Sequence, residues 1–244
     1  MRGLFALYGE SFRDGKQLSR LKDTKKSVPL QLKASKSHVN FCNFLKKQFN
    51  IDMDFSIQTY DTIYEDKLKQ IYPNLTYHSS KELLDNDVQI SISKGARLAI
   101  ENSKNDYDFI FLTRMDIYIK PHFYTIFNPY WNKIYFISQN YTKFNCGFFQ
   151  NNIPFVNSTI QFVPKKYFNI LKHINVDHTA IQHYNKHLTY DDYDFMVDDY
   201  HDADSYKDYN PYYKMISRPE TKKWHDKGKK INRSLFGTKK MITC

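Results

Sequence analysis

Glycine and proline are scarce in this chain of 244 residues, numbering 7 and 8. That excludes collagen-like and low-complexity classes and leaves a globular chain, long enough for one large domain or a domain with an appendage. The three cysteines, Cys42, Cys146 and Cys244, are odd in number and far apart. They lack metal-ligand spacing, which excludes a disulfide framework. No apolar run approaches the roughly 20 residues a membrane helix needs, and the first residues lack the apolar core and cleavage site of a secretory signal. A cytoplasmic protein without a transmembrane segment is expected, so the Asn-x-Ser/Thr triplets at Asn74, Asn140 and Asn157 are chance matches. Also missing are a Gly-Lys-Ser/Thr phosphate loop, Gly-x-Gly-x-x-Gly, His-Glu-x-x-His and Gly-x-Ser-x-Gly, so the nucleotide, zinc-protease and serine-hydrolase classes they mark are excluded.

What is abundant is positive charge, unevenly placed. The net +10 divides into +8 over residues 13–47 (10 basic, 2 acidic), −6 over 48–213 (15 basic, 21 acidic) and +8 over 214–244 (10 basic, 2 acidic). Two basic segments therefore flank an acidic middle. They are either solvated lysine-rich loops and a tail, or contacts for phosphates or another polyanion. The 41 aromatic residues (20 Tyr, 19 Phe, 2 Trp) fall with the acidic middle rather than among the basic residues. A basic-aromatic face for nucleic acid is thus not evident.

The apolar runs give an order of elements. GLFALY (3–8) reads as a first buried strand opening at Gly9 into a long lysine-rich loop, and a helical period begins at Gln31. MDFSIQTY (53–60) is the next strand, Asp61 to Tyr72 a helix closed by Pro73, LTYH (75–78) a short strand, and 87–103 a helix. The run DYDFIFLTRMDIYIK (106–120) is the strongest local signal, its FIFL core suited to a strand buried on both faces of a parallel sheet. Strand and helix alternating at these spacings imply a doubly wound α/β layer with right-handed crossovers. In the second half KIYFIS (133–138), NCGFFQ (145–150) and STIQFV (158–163) are strands without helices between them, which implies an antiparallel addition, and 164–174 and 179–188 are helices. Residues 1–120 and 121–213 are expected to be two halves of one domain, and 214–244 a basic tail.

Arg114-Met115-Asp116 leaves the end of the buried strand. In open α/β sheets ligands bind outside the carboxyl ends of the strands, so a charged pair emerging there stands at the crevice. A carboxylate at that place can hold a divalent cation, and the cation can neutralise a diphosphate leaving group. Capping of a strand end at the surface is the other reading of the same pair.

DYDFIFLTRMDIYI (106–119) resembles the Asp-x-Asp-bearing strand of GT-A glycosyltransferases, in the Arg-x-Asp form common in capsule-type and giant-virus enzymes. The resemblance extends to ALYGESFR (6–13), QTYDT (58–62), IQFVPKKYF (160–168) and DYHDADSYKDYNPYY (199–213), in family order. It implies a GT-A-like α/β fold: a mostly parallel, Rossmann-like sheet flanked by helices, with an antiparallel portion in the second half. The implied activity is metal-assisted transfer of a sugar from a nucleoside diphosphate donor, with UDP as the expected nucleotide, to a glycan or glycoprotein, in the host cytoplasm if the source is viral; 1–120 would be the donor-binding half and 121–213 the acceptor and catalytic half.

By position, the resemblance makes Asp116 a ligand of Mn2+ or Mg2+, with His201 or Asp202 as a further ligand. Arg114 stands where the family has an Asp and would touch phosphate. Tyr8 and Gly9 after the first strand, with Arg13 beyond them, and Thr59 and Asp61 after the second, match positions around the nucleoside diphosphate. Lys94 and Arg97, three apart on one helix face, reach the sugar nucleotide or are solvated charges. Gly15 to Lys26 is a basic lid or a loop. An inverting transferase needs a carboxylate to take the acceptor proton; Asp177 is the candidate, and an N-cap is its other reading. Seven Asp and His201 lie within 190–205, where a solvated acidic turn or a surface Ca2+ site is the alternative to a ligand role. The basic tail is a candidate contact for anionic surfaces. Rival functions are a polyanion-binding protein and a catalytically inactive homologue that binds sugar nucleotides.

Overall fold

The computed structural model describes residues 1–9, 11–12, 24–80, 100–101, 105–138, 159–173, 188–189, 191–197 and 210–216. The expected helix before Ile100, the strand at 145–150, the helix before Leu188, most of the acidic stretch and the tail beyond Ile216 lie outside these residues.

The first half runs β1 (Arg2–Tyr8), α1 (Thr24–Phe49), β2 (Asp52–Tyr60), α2 (Glu65–Ile71), β3 (Leu75–Ser80) and β4 (Phe109–Arg114). Then come β5 (Ile117–Ile119), β6 (Ile134–Phe136), β7 (Ile160–Pro164), a short helix Phe168–His173, β8 (Tyr193–Phe195) and β9 (Tyr213–Met215). One sheet has the order β3-β2-β1-β4-β7-β6-β8, and β5 pairs with β9 in a separate ribbon. The first four strands are mutually parallel, β7 is antiparallel to both β4 and β6, and β8 is parallel to β6. This is the expected α/β sheet with its antiparallel addition.

Strands β1 and β4 are apolar at nearly every position because both faces are covered, as in parallel sheets generally. Phe5 and Leu7 join Phe55, Ile57, Phe109 and Phe111 on one face, under Phe41, Cys42 and Leu45 of α1. Leu4 and Ala6 join Ile110, Leu112, Ile134, Phe136 and Val163 on the other. Much of the aromatic wealth is core: Phe41 alone meets Phe5, Phe111, Phe123 and Phe127 at centroid distances of 6.3, 5.2, 5.4 and 5.0 Å. Gly3 allows this packing, since a Cβ there would lie 2.4 Å from the Phe109 ring.

Three elements differ from the expectation. Helix α1 begins at Thr24, not Gln31, and carries Pro29 inside it, where the ring removes one backbone bond but the helix continues. Helix α2 begins at Glu65, not Asp61, because the Thr62 hydroxyl accepts from the Tyr64 N–H at 3.2 Å and turns the chain first. The strong 106–120 run divides at Met115–Asp116, its second part leaving the main sheet to pair with β9.

The order of strands sets the crevice. From β1 the chain passes through β2 to β3 on one side, then returns to place β4 on the other side of β1. The sheet therefore has a topological switch point between β1 and β4, and ligands of such sheets bind outside the carboxyl ends there.

Candidate functional site

At the carboxyl ends of three adjacent parallel strands, Gln58 of β2, Tyr8 of β1 and Arg114 of β4 are register partners. Partners in a pleated sheet project to the same face, so an amide, a phenol and a guanidinium stand in a row across the switch point. Gln58 and Tyr8 are buried, and the Arg114 side chain keeps 26% of its surface exposed. On the same face of β2, Ser56 Oγ and Gln58 Nε2 are buried without a hydrogen-bond partner among the described residues. Buried polar atoms left unpaired cost stability; a cluster of them beside the crevice is what a bound polar ligand would satisfy.

Past Arg114 the chain turns. The Met115 N–H donates to the Tyr8 carbonyl at 2.9 Å, extending the β1–β4 pairing by one bond. Met115, Ile117 and Ile119 alternate into the core, which leaves Arg114 and Asp116 to meet each other. Arg114 donates from Nε to Asp116 Oδ1 and from Nη2 to Oδ2, both at 2.8 Å. The Asp116 side chain is only 3% exposed.

Helix α1 fastens this turn from three buried positions. Gln31 Nε2 donates to the Met115 carbonyl at 2.9 Å, His38 Nε2 to the Ile117 carbonyl at 2.6 Å, and the Ile119 N–H to Ser37 Oγ at 3.0 Å. The His38 Nδ1 accepts from the Tyr72 hydroxyl at 2.9 Å. Full burial pushes this imidazole down to about 4, against smaller upward pulls from the Ile117 carbonyl and Asp116. From the far side the Ile216 N–H donates to the Asp116 carbonyl at 3.0 Å.

Directly after β1 the backbone turns at Gly9. Gly9 has φ +99° and donates its N–H to the Gln58 carbonyl at 3.0 Å, a conformation that glycine tolerates. Phe12, buried, has φ +55°, uncommon for a bulky residue and a form of strain that clusters at ligand sites. Thr59 accepts from the Ser11 N–H at 3.2 Å and donates to Ser11 Oγ at 2.9 Å. Its hydroxyl is fully enclosed, so within this structure Thr59 ties the loop to β2. Asp61, half-buried, follows the end of β2.

Six of the expected site residues, Arg13, Lys94, Arg97, Asp177, His201 and Asp202, lie outside the described residues. The structure brings together Tyr8, Gly9, Arg114 and Asp116, with Thr59 and Asp61 at the neighbouring strand end. Gln58, Gln31 and His38 were not singled out by the sequence. The available signal was a polar residue in an apolar strand and two more on the buried stripe of α1. A groove of about 500 Å3 opens elsewhere, between α1 and the segment after Asp116, lined by Leu32, Lys33, Lys36, Tyr118 and Tyr124 among others. No strand carboxyl end of the main sheet lines it.

No family model matches the sequence, and no curated protein sequence does. Among solved structures, the inositol-1-phosphate CTP transferase from T. maritima is similar over 93% of this chain and 94% of its own, at 11% identity and a TM-score of 0.50. A Drosophila β1,4-galactosyltransferase 7 in complex with manganese, UDP-Gal and xylobiose is similar over 96% of this chain and 77% of its own, at 11% identity and 0.47. A glycosyltransferase involved in the glycosylation of the major capsid of PBCV-1 is similar over 81% of both chains, at 9% identity and 0.43. At such identities the likeness is one of fold. The fold is α/β and GT-A-like, a mostly parallel sheet with an antiparallel addition.

Proposed function

We propose that this protein is a glycosyltransferase that binds a nucleoside diphosphate sugar across the β1–β4 switch point. The single observation that carries the reading is the in-register row of Gln58, Tyr8 and Arg114, at the place where an open α/β sheet presents its ligand crevice. The unpaired Gln58 amide and the bend at Gly9 support a polar nucleoside lodged beside β1 and β2. Arg114, on the β4 side of the same row, supports a diphosphate there.

In the reaction an acceptor hydroxyl oxygen attacks the anomeric carbon as the bond from that carbon to the diphosphate oxygen breaks. The electron pair leaves with the nucleoside diphosphate, and the acceptor proton passes to a base. Charge gathers on the leaving diphosphate, so a fixed cationic group at its oxygens lowers the barrier. A carboxylate suits the base if the sugar inverts, and Asp177 is the proposed residue by its place in the chain. UDP is the proposed nucleotide and a glycan or glycoprotein the proposed acceptor.

The test is a thermal-shift panel of UDP, GDP, CDP and ADP and their sugars with the full chain. A ligand present at 100 times its dissociation constant stabilises by about 2.7 kcal/mol, enough to raise the melting temperature by several degrees. If no nucleoside diphosphate shifts the transition while RNA or DNA binds with a steep salt dependence, the polyanion reading replaces this one.

A further inference from the structure

The resemblance places Mn2+ or Mg2+ on Asp116, with His201 or Asp202 beside it, and these last two lie outside the described residues. Asp116 itself does not fit that ion. A hard divalent cation takes carboxylate oxygens into its own shell, whereas here Oδ1 and Oδ2 each accept a 2.8 Å bond from Arg114. With its side chain 3% exposed and both oxygens engaged by Arg114, Asp116 presents little surface to an ion. A cation ligated there would also stand within a few ångströms of a fixed positive charge. Among the described residues no three His, Cys, Asp or Glu side chains converge on a metal-sized site.

We propose that Arg114 itself supplies the positive charge that meets the donor diphosphate, that Asp116 is the positioning residue that aims it, and that nucleoside diphosphate binding therefore needs no divalent cation. This rests on the donor-site reading above. A guanidinium held along two parallel bonds has its plane fixed, and a planar fork of fixed direction is a preorganised donor for phosphate oxygens. Arg114 keeps part of its side chain exposed and stands opposite Tyr8 in register, at the switch point. The turn that carries it is held by Gln31, Ser37 and His38, so aiming the guanidinium requires no rearrangement on binding.

The experiment is calorimetric titration of the full chain with the best binder among UDP, GDP, CDP and ADP, in EDTA and in about 1 mM Mn2+ or Mg2+. The expected dissociation constants agree within about threefold, roughly 0.6 kcal/mol. Tightening beyond about tenfold by the cation overturns the inference and leaves the donor-site reading standing; no binding in either buffer overturns both. Arg114→Lys keeps a charge without the fork and is expected to weaken binding about tenfold, with no cation dependence gained. The double variant Arg114→Gln with Asp116→Asn replaces the ion pair by an amide pair that can still hydrogen-bond, which guards the fold. It is expected to lose binding in both buffers, and retained affinity overturns the inference. Arg114→Asp, which releases Asp116 and adds a second carboxylate, is expected to make binding dependent on Mn2+. Unchanged, cation-independent affinity in that variant overturns the inference as well.

Discussion

His38, fully buried in helix α1, donates to the carbonyl of Ile117, one residue beyond Asp116, while the Tyr72 hydroxyl donates to its other nitrogen. The neutral ring satisfies both partners, whereas a second proton would bury a charge and turn the Tyr72 hydroxyl round to accept. In the unfolded chain the imidazole protonates near 6.5, in the folded protein at about 4. Between those values the unfolded chain binds more protons, so stability rises with pH across the window and is complete above 6.5. The expected loss between pH 6.5 and pH 4 is on the order of 3 kcal/mol, measured by urea unfolding at a series of pH values. In His38→Gln the slope over that window should flatten; an unchanged slope would mean that another group titrates.

Asp54, at the amino-terminal edge of the sheet, accepts from Arg2, Asn105 and the Tyr107 hydroxyl, with distances of 2.9 to 3.0 Å. It is buried, and Arg2 is half-buried. Asp54→Ala should cost on the order of 2–3 kcal/mol by leaving the buried Tyr107 hydroxyl unpaired. Arg2→Ala should also be costly, because it leaves the buried Asp54 carboxylate without its cation. A negligible loss for Arg2→Ala in chemical denaturation would contradict this.

Gly3→Ala should be destabilising by roughly 1–3 kcal/mol, since the added methyl meets the Phe109 ring at 2.4 Å and the Met53 sulfur at 2.6 Å inside a close-packed core. Paired with Phe109→Leu, which vacates ring volume, the alanine should become cheaper than the sum of the two single changes, a coupling read from the double-mutant cycle.

A chain shortened to end at Ser217 keeps β9 and the bond from Ile216 to the Asp116 carbonyl. It should melt like the full chain and still bind nucleotide, yet lose affinity for anionic vesicles. Ending it at Tyr209 removes Asn210 and Tyr213, both fully buried, and should lower the melting temperature by several degrees.

Much of the sheet could be read from the chain because its strands are buried on both faces: GLFALY and FIFL have no polar position to confuse the period. The Arg-x-Asp turn was legible for the same reason, as charge emerging abruptly from such a run. What was not legible depended on long-range partners. The onset of α1 was hidden by a lysine-rich stretch and Pro29, which local propensity counts against a helix. Tyr213–Met215 reads as the edge of a basic tail until Ile117–Ile119 is there to pair with it. Thr59, expected near the nucleoside, also bonds Ser11, a partner 48 residues away that no local pattern announces. The pairing of Arg114 with Asp116 is local, two residues apart, but its bidentate geometry follows from Met115 and Ile117 turning into the core on either side.

The most direct test is the position of the diphosphate in a crystal of the full chain with the nucleoside diphosphate that binds best. The proposed function predicts the phosphate oxygens at the carboxyl ends of β1 and β4, within hydrogen-bond distance of the Arg114 guanidinium, and the nucleoside beside Tyr8, Gly9 and Gln58. A diphosphate bound away from that switch point, such as in the groove between α1 and Tyr118, would contradict it.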